Sequence, residues 1–86
     1  MLRSVAFELL ADAEAGLLSS VLVPFARRGL MPDQFRSRRI GRAVHAAVVV
    51  EAMPAGMVHL VEGNLRKIVG MRRVEVVLRG SVRAVA

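Results

Sequence analysis

The side chains that could take part in chemistry are few and lie far apart along the chain. His45 and His59 are fourteen positions apart, and no third histidine accompanies them. Metal sites use ligands at closer and more regular spacing, and a catalytic base needs a neighbour that orients it. We therefore expect each histidine to be a polar surface side chain or a partly buried one, in preference to a ligand or a base.

Three carboxylates, those of Asp12, Glu14 and Asp33, could converge as an acid/base pair. No nucleophile or cofactor motif accompanies them, and charge compensation at a helix N-terminus explains the first two better. Ser19 and Ser20 lie outside any G-x-S-x-G context, and the glycines form neither a phosphate-binding loop nor a dinucleotide fingerprint. The chain has no cysteine, which excludes disulfides, thiolate ligands and cysteine nucleophiles. We expect a protein that is not an enzyme and that holds no metal or cofactor.

The composition indicates one small folded domain with a basic surface. The chain has 86 residues, is 55% hydrophobic and carries a net charge of +6, with arginine supplying all but one of its thirteen cations. Such a charge favours nucleic acid or acidic protein surfaces as partners. Because the chain has three phenylalanines and no tyrosine or tryptophan, it has few rings on which bases could stack, and an acidic protein is favoured over nucleic acid.

Nothing in the sequence predicts a membrane segment. The longest uncharged stretch, residues 15–26, is twelve residues long, whereas a bilayer span needs about 20. Acidic residues at positions 8, 12 and 14 interrupt any secretory signal. We expect a soluble cytoplasmic protein.

The spacing of apolar residues divides the chain into six elements. Alternation with period two predicts strands, and recurrence every three or four residues predicts amphipathic helices. The predicted elements are strand 4–10, helix 17–28, strand 34–39, strand 42–51, helix 54–69 and strand 72–79. Pro24 predicts a kink in the first helix near Ser20 or Val21, but not a break, because the apolar stripe continues through Phe25. Gly29 is expected to end that helix in a left-handed conformation.

Two further expectations concern the second half of the chain. Pro54 is expected in the first turn of the second helix, because proline is tolerated there. The apolar face of that helix is expected to comprise Met57, Leu60, Val61, Leu65 and Ile68. In the last strand, Val74, Val76 and Leu78 are expected to point inward.

The order β-α-β-β-α-β is typical of the α+β ferredoxin-like fold, a four-stranded antiparallel sheet with two helices on one face. Right-handed crossovers place strands one and three in the centre and strands two and four at the edges. The domain would span residues 1–80, followed by a short C-terminal tail at 81–86. One chain leaves the second face of the sheet uncovered, so we expect a homodimer, although the sequence does not separate a dimer from a tetramer.

Three segments resemble an ACT domain in their order and spacing: EAGLLS at 14–19, FARRGL at 25–30 and LRKIVGMRRV at 65–74. The first gives a glycine-containing turn after strand one, and the second ends helix one in a basic pair before glycine. The third is similar to the end of the domain in the small regulatory subunits of acetolactate synthase. The resemblance covers about residues 3–79 and implies an ACT-type ferredoxin-like fold.

The family resemblance also implies how such a chain would work. ACT domains pair, often by joining edge strands into one eight-stranded sheet. They bind a small effector, usually an amino acid, between the turn after strand one and strand two of the partner. In acetolactate synthase, the small subunit activates the thiamine-dependent catalytic chain, and many members confer feedback inhibition by valine.

Carried onto this chain, the resemblance implies a ligand-binding turn and a facing segment from the partner. The turn comprises Asp12, Ala13, Glu14, Ala15, Gly16, Leu17 and Leu18, and the facing segment comprises Leu30, Met31, Pro32 and Asp33. The chain departs from the family pattern, because Ala13 and Ala15 stand where Asn and Pro are usual, and Met31 where Asn is frequent. Backbone N–H groups at 16–18 would then hold a carboxylate, and Asp12, Glu14 or Asp33 would meet an ammonium group.

Four arginines, Arg36, Arg38, Arg39 and Arg42, form the most informative charge feature. They either coat a solvated edge strand, where charge deters edge pairing, or dock an acidic surface on a catalytic subunit. Together with the resemblance, they favour a non-catalytic regulatory subunit of an acetolactate synthase-like enzyme, in branched-chain amino-acid biosynthesis. Two alternatives stay open: an orphan ACT module for amino-acid sensing or dimerisation that serves another enzyme or regulator, and a small basic nucleic-acid-binding domain.

Overall fold

The chain adopts the α+β ferredoxin-like fold. The computed structural model describes residues 1–81, with side chains to residue 79. Its elements are β1 (Leu2–Asp12), α1 (Leu17–Arg27), β2 (Gln34–Ile40), β3 (Ala43–Pro54), a 3₁₀ helix (Ala55–Met57), α2 (Val58–Arg66) and β4 (Met71–Ser81). Of the predicted tail at 81–86, Ser81 is the last residue of β4, and the rest lies outside the described residues.

The four strands form one antiparallel sheet in the order β2-β3-β1-β4. The prediction that strands one and three are central and strands two and four lie at the edges is confirmed. β2 and β3 form a hairpin in which Ile40 lies opposite Ala43 across a two-residue turn. Gly41 begins that turn with a φ of 60°, a conformation that glycine adopts without a steric penalty.

Alternation along β1 separates a core face from an open face. Val5, Phe7 and Leu9 are buried against the helices, as predicted, while Glu8 and Leu10 point to the other side. The core continues through Val21 and Phe25 of α1, Val61 and Leu65 of α2, and the alternate valines of β3 and β4. Both helices therefore cover the same face of the sheet. We call the other side, which neither helix covers, the open face.

Helix α1 passes through Pro24 without a break, as predicted. Leu17, Val21 and Phe25 are buried at four-residue spacing, and this stripe holds the helix on the sheet despite the missing N–H of the proline. Gly29 follows the helix with a φ of 67°, which confirms the expected left-handed ending.

The prediction for Pro54 is wrong, and the helix after it is shorter than expected. Pro54 is the last residue of β3, with an extended ψ of 128°, and the α-helical segment begins only at Val58. A proline fits there because β2 begins opposite Val49, which leaves the outer side of β3 without a neighbouring strand at Pro54. The helix stops at Arg66, since the backbone tightens to three-residue bonds at Lys67 and Ile68.

Two residues expected on the core side are largely exposed. Leu60 is 47% exposed, whereas its neighbour Val61 is fully buried. Successive residues on a helix differ by about 100° in direction, so the face centred on Val61 and Leu65 excludes Leu60. Leu78 is 51% exposed at the end of the edge strand β4, while Val74 on the same strand face is buried.

Candidate functional site

The turn that joins β1 to α1 is held in place from two sides. The N–H of Asp12 donates to the carbonyl of Gly70 at 2.9 Å, and the N–H of Ala13 donates to the carbonyl of Arg42 at 2.8 Å. Gly16 then enters α1 with a φ of 83°, which a residue with a Cβ adopts only under strain. The turn is thus fixed between the β2–β3 hairpin turn and the start of β4.

A cleft of about 320 Å³ opens between this turn and the chain segment that follows α2. Part of its lining is the predicted turn, and part comes from residues more than fifty positions away. The lining residues are Glu14, Ala15, Gly16, Leu17, Ser20, Ile68 and Val69. Ser20, Ile68 and Val69 did not belong to the predicted site. The sequence predicts Ile68 and Val69 within the second helix, whereas α2 ends at Arg66 and both residues line the cleft.

The N-terminus of α1 lies at one wall of the cleft. Gly16 is its N-cap residue, and no side chain caps the helix there. The N–H of Leu17 is satisfied by the carbonyl of Glu14 at 3.2 Å. The next N–H groups, including that of Leu18, belong to the first turn, where a helix offers donors and a partial positive charge to a carboxylate.

Of the three carboxylates predicted to meet an ammonium group, two are engaged elsewhere. Asp12 accepts a hydrogen bond at 2.6 Å from Nε of Arg72. Arg72 reaches it because a bulge in β4 takes Arg72 out of the pairing register with β1. Asp33 accepts the N–H of Glu51 at 2.7 Å through Oδ2. Glu14 is exposed and forms no ion pair within the described residues, so it is the carboxylate of the turn that stays available.

The predicted facing segment, which includes Met31 and Asp33, lies at the opposite end of the sheet from the turn. Asp12 lies opposite Ala43, whereas the N–H of Asp33 donates to the carbonyl of Val49 at 2.8 Å. Six strand residues separate those positions, or about 20 Å. The turn and the segment can therefore meet only between two copies of the chain, for example through antiparallel pairing of their β2 edges.

The four arginines of the predicted partner surface lie on and beside β2, all of whose residues are exposed. We call Arg36, Arg38, Arg39 and Arg42 the basic edge. Arg36 and Arg38 project on the open face, Arg39 projects on the helix side, and Arg42 belongs to the hairpin turn. Arg39 donates through Nε to the carbonyl of Gly41 at 3.0 Å. Within the described part of the chain, no carboxylate forms a salt bridge with any of the four.

The basic edge works against the pairing of two β2 strands. In an antiparallel pair centred on Ser37, Arg36 would lie directly opposite Arg38 of the partner subunit. Like charges in directly opposed positions destabilise a sheet, and edge arginines are a common protection against such pairing. An acidic partner is therefore better matched to this edge than a second copy of it.

The histidines lie apart, in agreement with their spacing. His45 projects on the open face, with its Nε2 3.6 Å from a carboxylate oxygen of Glu8, and its side chain is 44% exposed. His59 is exposed on α2. Across residues 1–81, no three side chains of His, Cys, Asp or Glu are grouped closely enough to hold a metal ion. In the same range, neither helix is long and apolar enough to cross a bilayer.

The fold has a known structural counterpart. The chain superposes on the structure of the uncharacterized protein TM1266 from Thermotoga maritima with a TM-score of 0.75, over 92% of this chain and 99% of that one. The two sequences are 12% identical, so the likeness concerns the fold alone. No protein-family model and no curated protein matches the sequence.

Proposed function

We propose that this chain is a non-catalytic regulatory subunit of an acetolactate synthase-like enzyme. The resemblance of residues 3–79 to ACT-type small subunits supplies the class of partner. The observation that carries the proposal is the basic edge, in which an exposed strand presents arginines that have no carboxylate partner among the described residues. Such a surface is complementary to an acidic segment of a larger catalytic chain.

The side of the basic edge that suits such a partner contains Arg39 and Arg42. Arg39 projects on the helix side of β2, and Arg42 follows it in the hairpin turn. Each single exposed ion pair contributes little, about 0–1 kcal/mol, so the partner must engage several charges together and exclude water around them. The backbone of β2 along its outer side also has free N–H and C=O groups to which an extended segment can pair.

The cleft beside α1 is the proposed effector site, and its chemistry suits a small apolar amino acid. The carboxylate would lie at the N-terminus of α1, the ammonium group would face Glu14, and the side chain would pack on Leu17 and Ile68. An effector bound there would change the activity of the catalytic chain only if its affinity differs between the two states of the complex. Valine is the first candidate, from the resemblance.

The direct test is reconstitution with an acetolactate synthase catalytic chain from the same organism. We expect the purified chain to bind the catalytic chain and to change its turnover, with binding that weakens as salt is raised. Arg39→Glu and Arg42→Glu should each weaken binding, because they place a negative charge against an acidic surface. Arg27→Glu, which changes a cation at the end of α1, is the matched control and should bind as the unmodified chain does.

The proposal fails if the unmodified chain neither binds the catalytic chain nor alters its activity. It also fails if Arg27→Glu weakens binding as strongly as Arg39→Glu, since the attraction would then reflect net charge and not a surface. Affinity capture from the native lysate, with identification of the co-purifying proteins, addresses the alternative. Stoichiometric recovery of a different enzyme or regulator would support the orphan sensing module.

The effector site has its own test, independent of the catalytic chain. We expect valine to raise the unfolding temperature of the purified chain, and Glu14→Gln to reduce that increase because the ammonium group loses its carboxylate. Glu62→Gln is the control, since Glu62 lies on α2 in an ion pair with Arg66. An equal shift in all three proteins would remove Glu14 from the site.

A further inference from the structure

A second cleft, of about 290 Å³, lies on the open face where β2, β3 and β1 run side by side. Its lining includes Arg36, Arg38, His45, Ala47 and Glu8. The pairing register brings these residues together, because Arg36, Ala47 and Glu8 lie in one row across the strands. Arg38 and His45 lie opposite each other in the next row. Ala47 has the shortest side chain of the group, so it forms the floor between the longer ones.

Two arginines at the outer wall of this cleft have unused hydrogen-bond donors. Arg36 and Arg38 both project on the open face, with their Cα atoms about 6.8 Å apart along β2. Within the described residues, neither guanidinium group forms a salt bridge or a hydrogen bond with a protein acceptor. Two arginine side chains at this spacing are long enough to converge on one anion, and each can donate two parallel hydrogen bonds to its oxygens.

The carboxylate at the inner wall of the cleft is already engaged with a neighbour. Oε1 of Glu8 lies 3.6 Å from Nε2 of His45, which leaves the second carboxylate oxygen as an acceptor. The cleft therefore has two cationic donors on the β2 side and one acceptor on the β1 side. This polarity matches a molecule that has an anionic group at one end and a hydroxyl group at the other.

We infer that this cleft binds a small molecule through its phosphate group. The phosphate would lie over Ala47, between the guanidinium groups of Arg36 and Arg38, and the rest of the ligand would extend toward Glu8. A phosphate monoester suits two arginines because it has three acceptor oxygens and about 1.5–2 negative charges at neutral pH. A carboxylate has only two oxygens and a single charge, so it would leave donors of the two arginines unused.

The charges around the cleft favour a small ligand over a nucleic acid strand. A strand that crossed the sheet along the row of Arg36 would meet Glu8 and then Glu75. Along the next row it would pass Leu10 and reach Arg73, which already pairs with Glu75 at 3.3 Å. All three phenylalanines of the chain lie on the helix side of the sheet, so this face also lacks a phenylalanine ring on which a base could stack.

This site goes beyond the proposed regulatory function and uses other residues. The catalytic partner is assigned to Arg39 and Arg42, and the amino-acid effector is assigned to the cleft beside α1. Phosphate binding is tested with the purified chain and needs neither the catalytic chain nor valine. Either proposal can therefore fail without the other.

The test is a titration of the isotope-labelled chain with α-glycerophosphate, followed by the backbone amide resonances at constant ionic strength. We expect a saturable shift with a dissociation constant of about 1 mM, an affinity that a few charge-assisted hydrogen bonds provide at an exposed site. The amides that shift should be those of Arg36, Arg38 and Ala47, and not those of residues 16–18 at the N-terminus of α1. Glycerol, which lacks the phosphate, should shift none of them.

Inorganic phosphate separates the contribution of the phosphate group from that of the rest of the ligand. It should shift the same amides but bind more weakly than α-glycerophosphate, because it has no glycerol hydroxyl groups to reach Glu8. Equal affinities would also support the site and would identify free phosphate as sufficient for it.

Variants matched in charge separate this cleft from the net charge of the chain. Arg36→Gln and Arg38→Gln should each weaken binding about tenfold. Arg39→Gln removes the same charge from the same strand but on the helix side, so it should change the affinity by less than about twofold. Glu8→Gln should tighten the binding of inorganic phosphate at least about twofold, since Glu8 is the one carboxylate that lines the cleft. Glu62→Gln removes the same charge on α2 and should not.

Circular dichroism checks that each variant is folded. The inference is overturned if α-glycerophosphate at about 20 mM, well above the expected dissociation constant, leaves the amides of the cleft unshifted. It is also overturned if glycerol shifts them equally, or if Arg39→Gln weakens binding as strongly as Arg36→Gln. A single-stranded oligonucleotide that binds at these residues and is not displaced by α-glycerophosphate would likewise overturn it, because β2 would then be a nucleic-acid surface.

Discussion

The packing of Phe7 against Phe25 permits a quantitative test of how α1 is held on the sheet. The two rings are fully buried and meet edge to face, with centroids 5.3 Å apart and planes at 80°. Replacing either phenylalanine with leucine removes three buried carbon atoms. At about 0.8 kcal/mol for each buried carbon group, this predicts a loss of roughly 2 kcal/mol in the free energy of unfolding. The edge-to-face contact adds about 0.5–1.5 kcal/mol beyond burial. The double variant should lose less than the sum of the single losses by that amount, because the contact is removed only once.

Urea unfolding followed by circular dichroism measures all four corners of this cycle. A domain of 86 residues is stable by about 4–13 kcal/mol, so the single variants should stay folded. Phe35→Leu is the control: Phe35 is 37% exposed on the edge strand β2, and its replacement should change stability by less than about 0.5 kcal/mol. Additive losses at Phe7 and Phe25 would refute the ring contact, and a large loss at Phe35 would refute the assignment of the core.

Substitutions at three residues, Gly70, Asp12 and Asp33, test the supports of the candidate site by thermal unfolding. Gly70→Ala should cost about 1–2 kcal/mol in the free energy of unfolding, because Gly70 has a φ of 89°, which a residue with a Cβ adopts only under strain. Gly63→Ala, in the open middle of α2, should instead stabilise by about 0.5–1 kcal/mol. A change of the same sign at both positions would contradict this reasoning. Asp12→Asn should cost less than about 1 kcal/mol, since its pair with Arg72 is half exposed, and a larger loss would contradict that view. Asp33→Ala should cost about 1 kcal/mol, because the N–H of Glu51 loses its acceptor. Asp33→Asn should cost less, since the amide oxygen still accepts that N–H. Equal losses would exclude this hydrogen bond as the cause.

The fold could be predicted because its main determinants are local. The apolar residues recur with period two along β1 and with period 3.6 along α1, so a short stretch of sequence is enough to predict which side chains are buried. The structure confirms this for Phe7 on β1 and Val21 on α1. The strand order follows from the element order once crossovers are right-handed. No contact between distant residues had to be known for either step.

The errors arose where distant parts of the chain decide the outcome. Whether Pro54 starts a helix or ends a strand depends on where β2 begins, since a proline at the end of β3 removes no hydrogen bond there. The sequence located the β1–α1 turn but not the other wall of its cleft, because Ile68 and Val69 reach it only when α2 ends early. The engagement of Asp12 by Arg72 depends on a bulge that neither sequence segment reveals by itself.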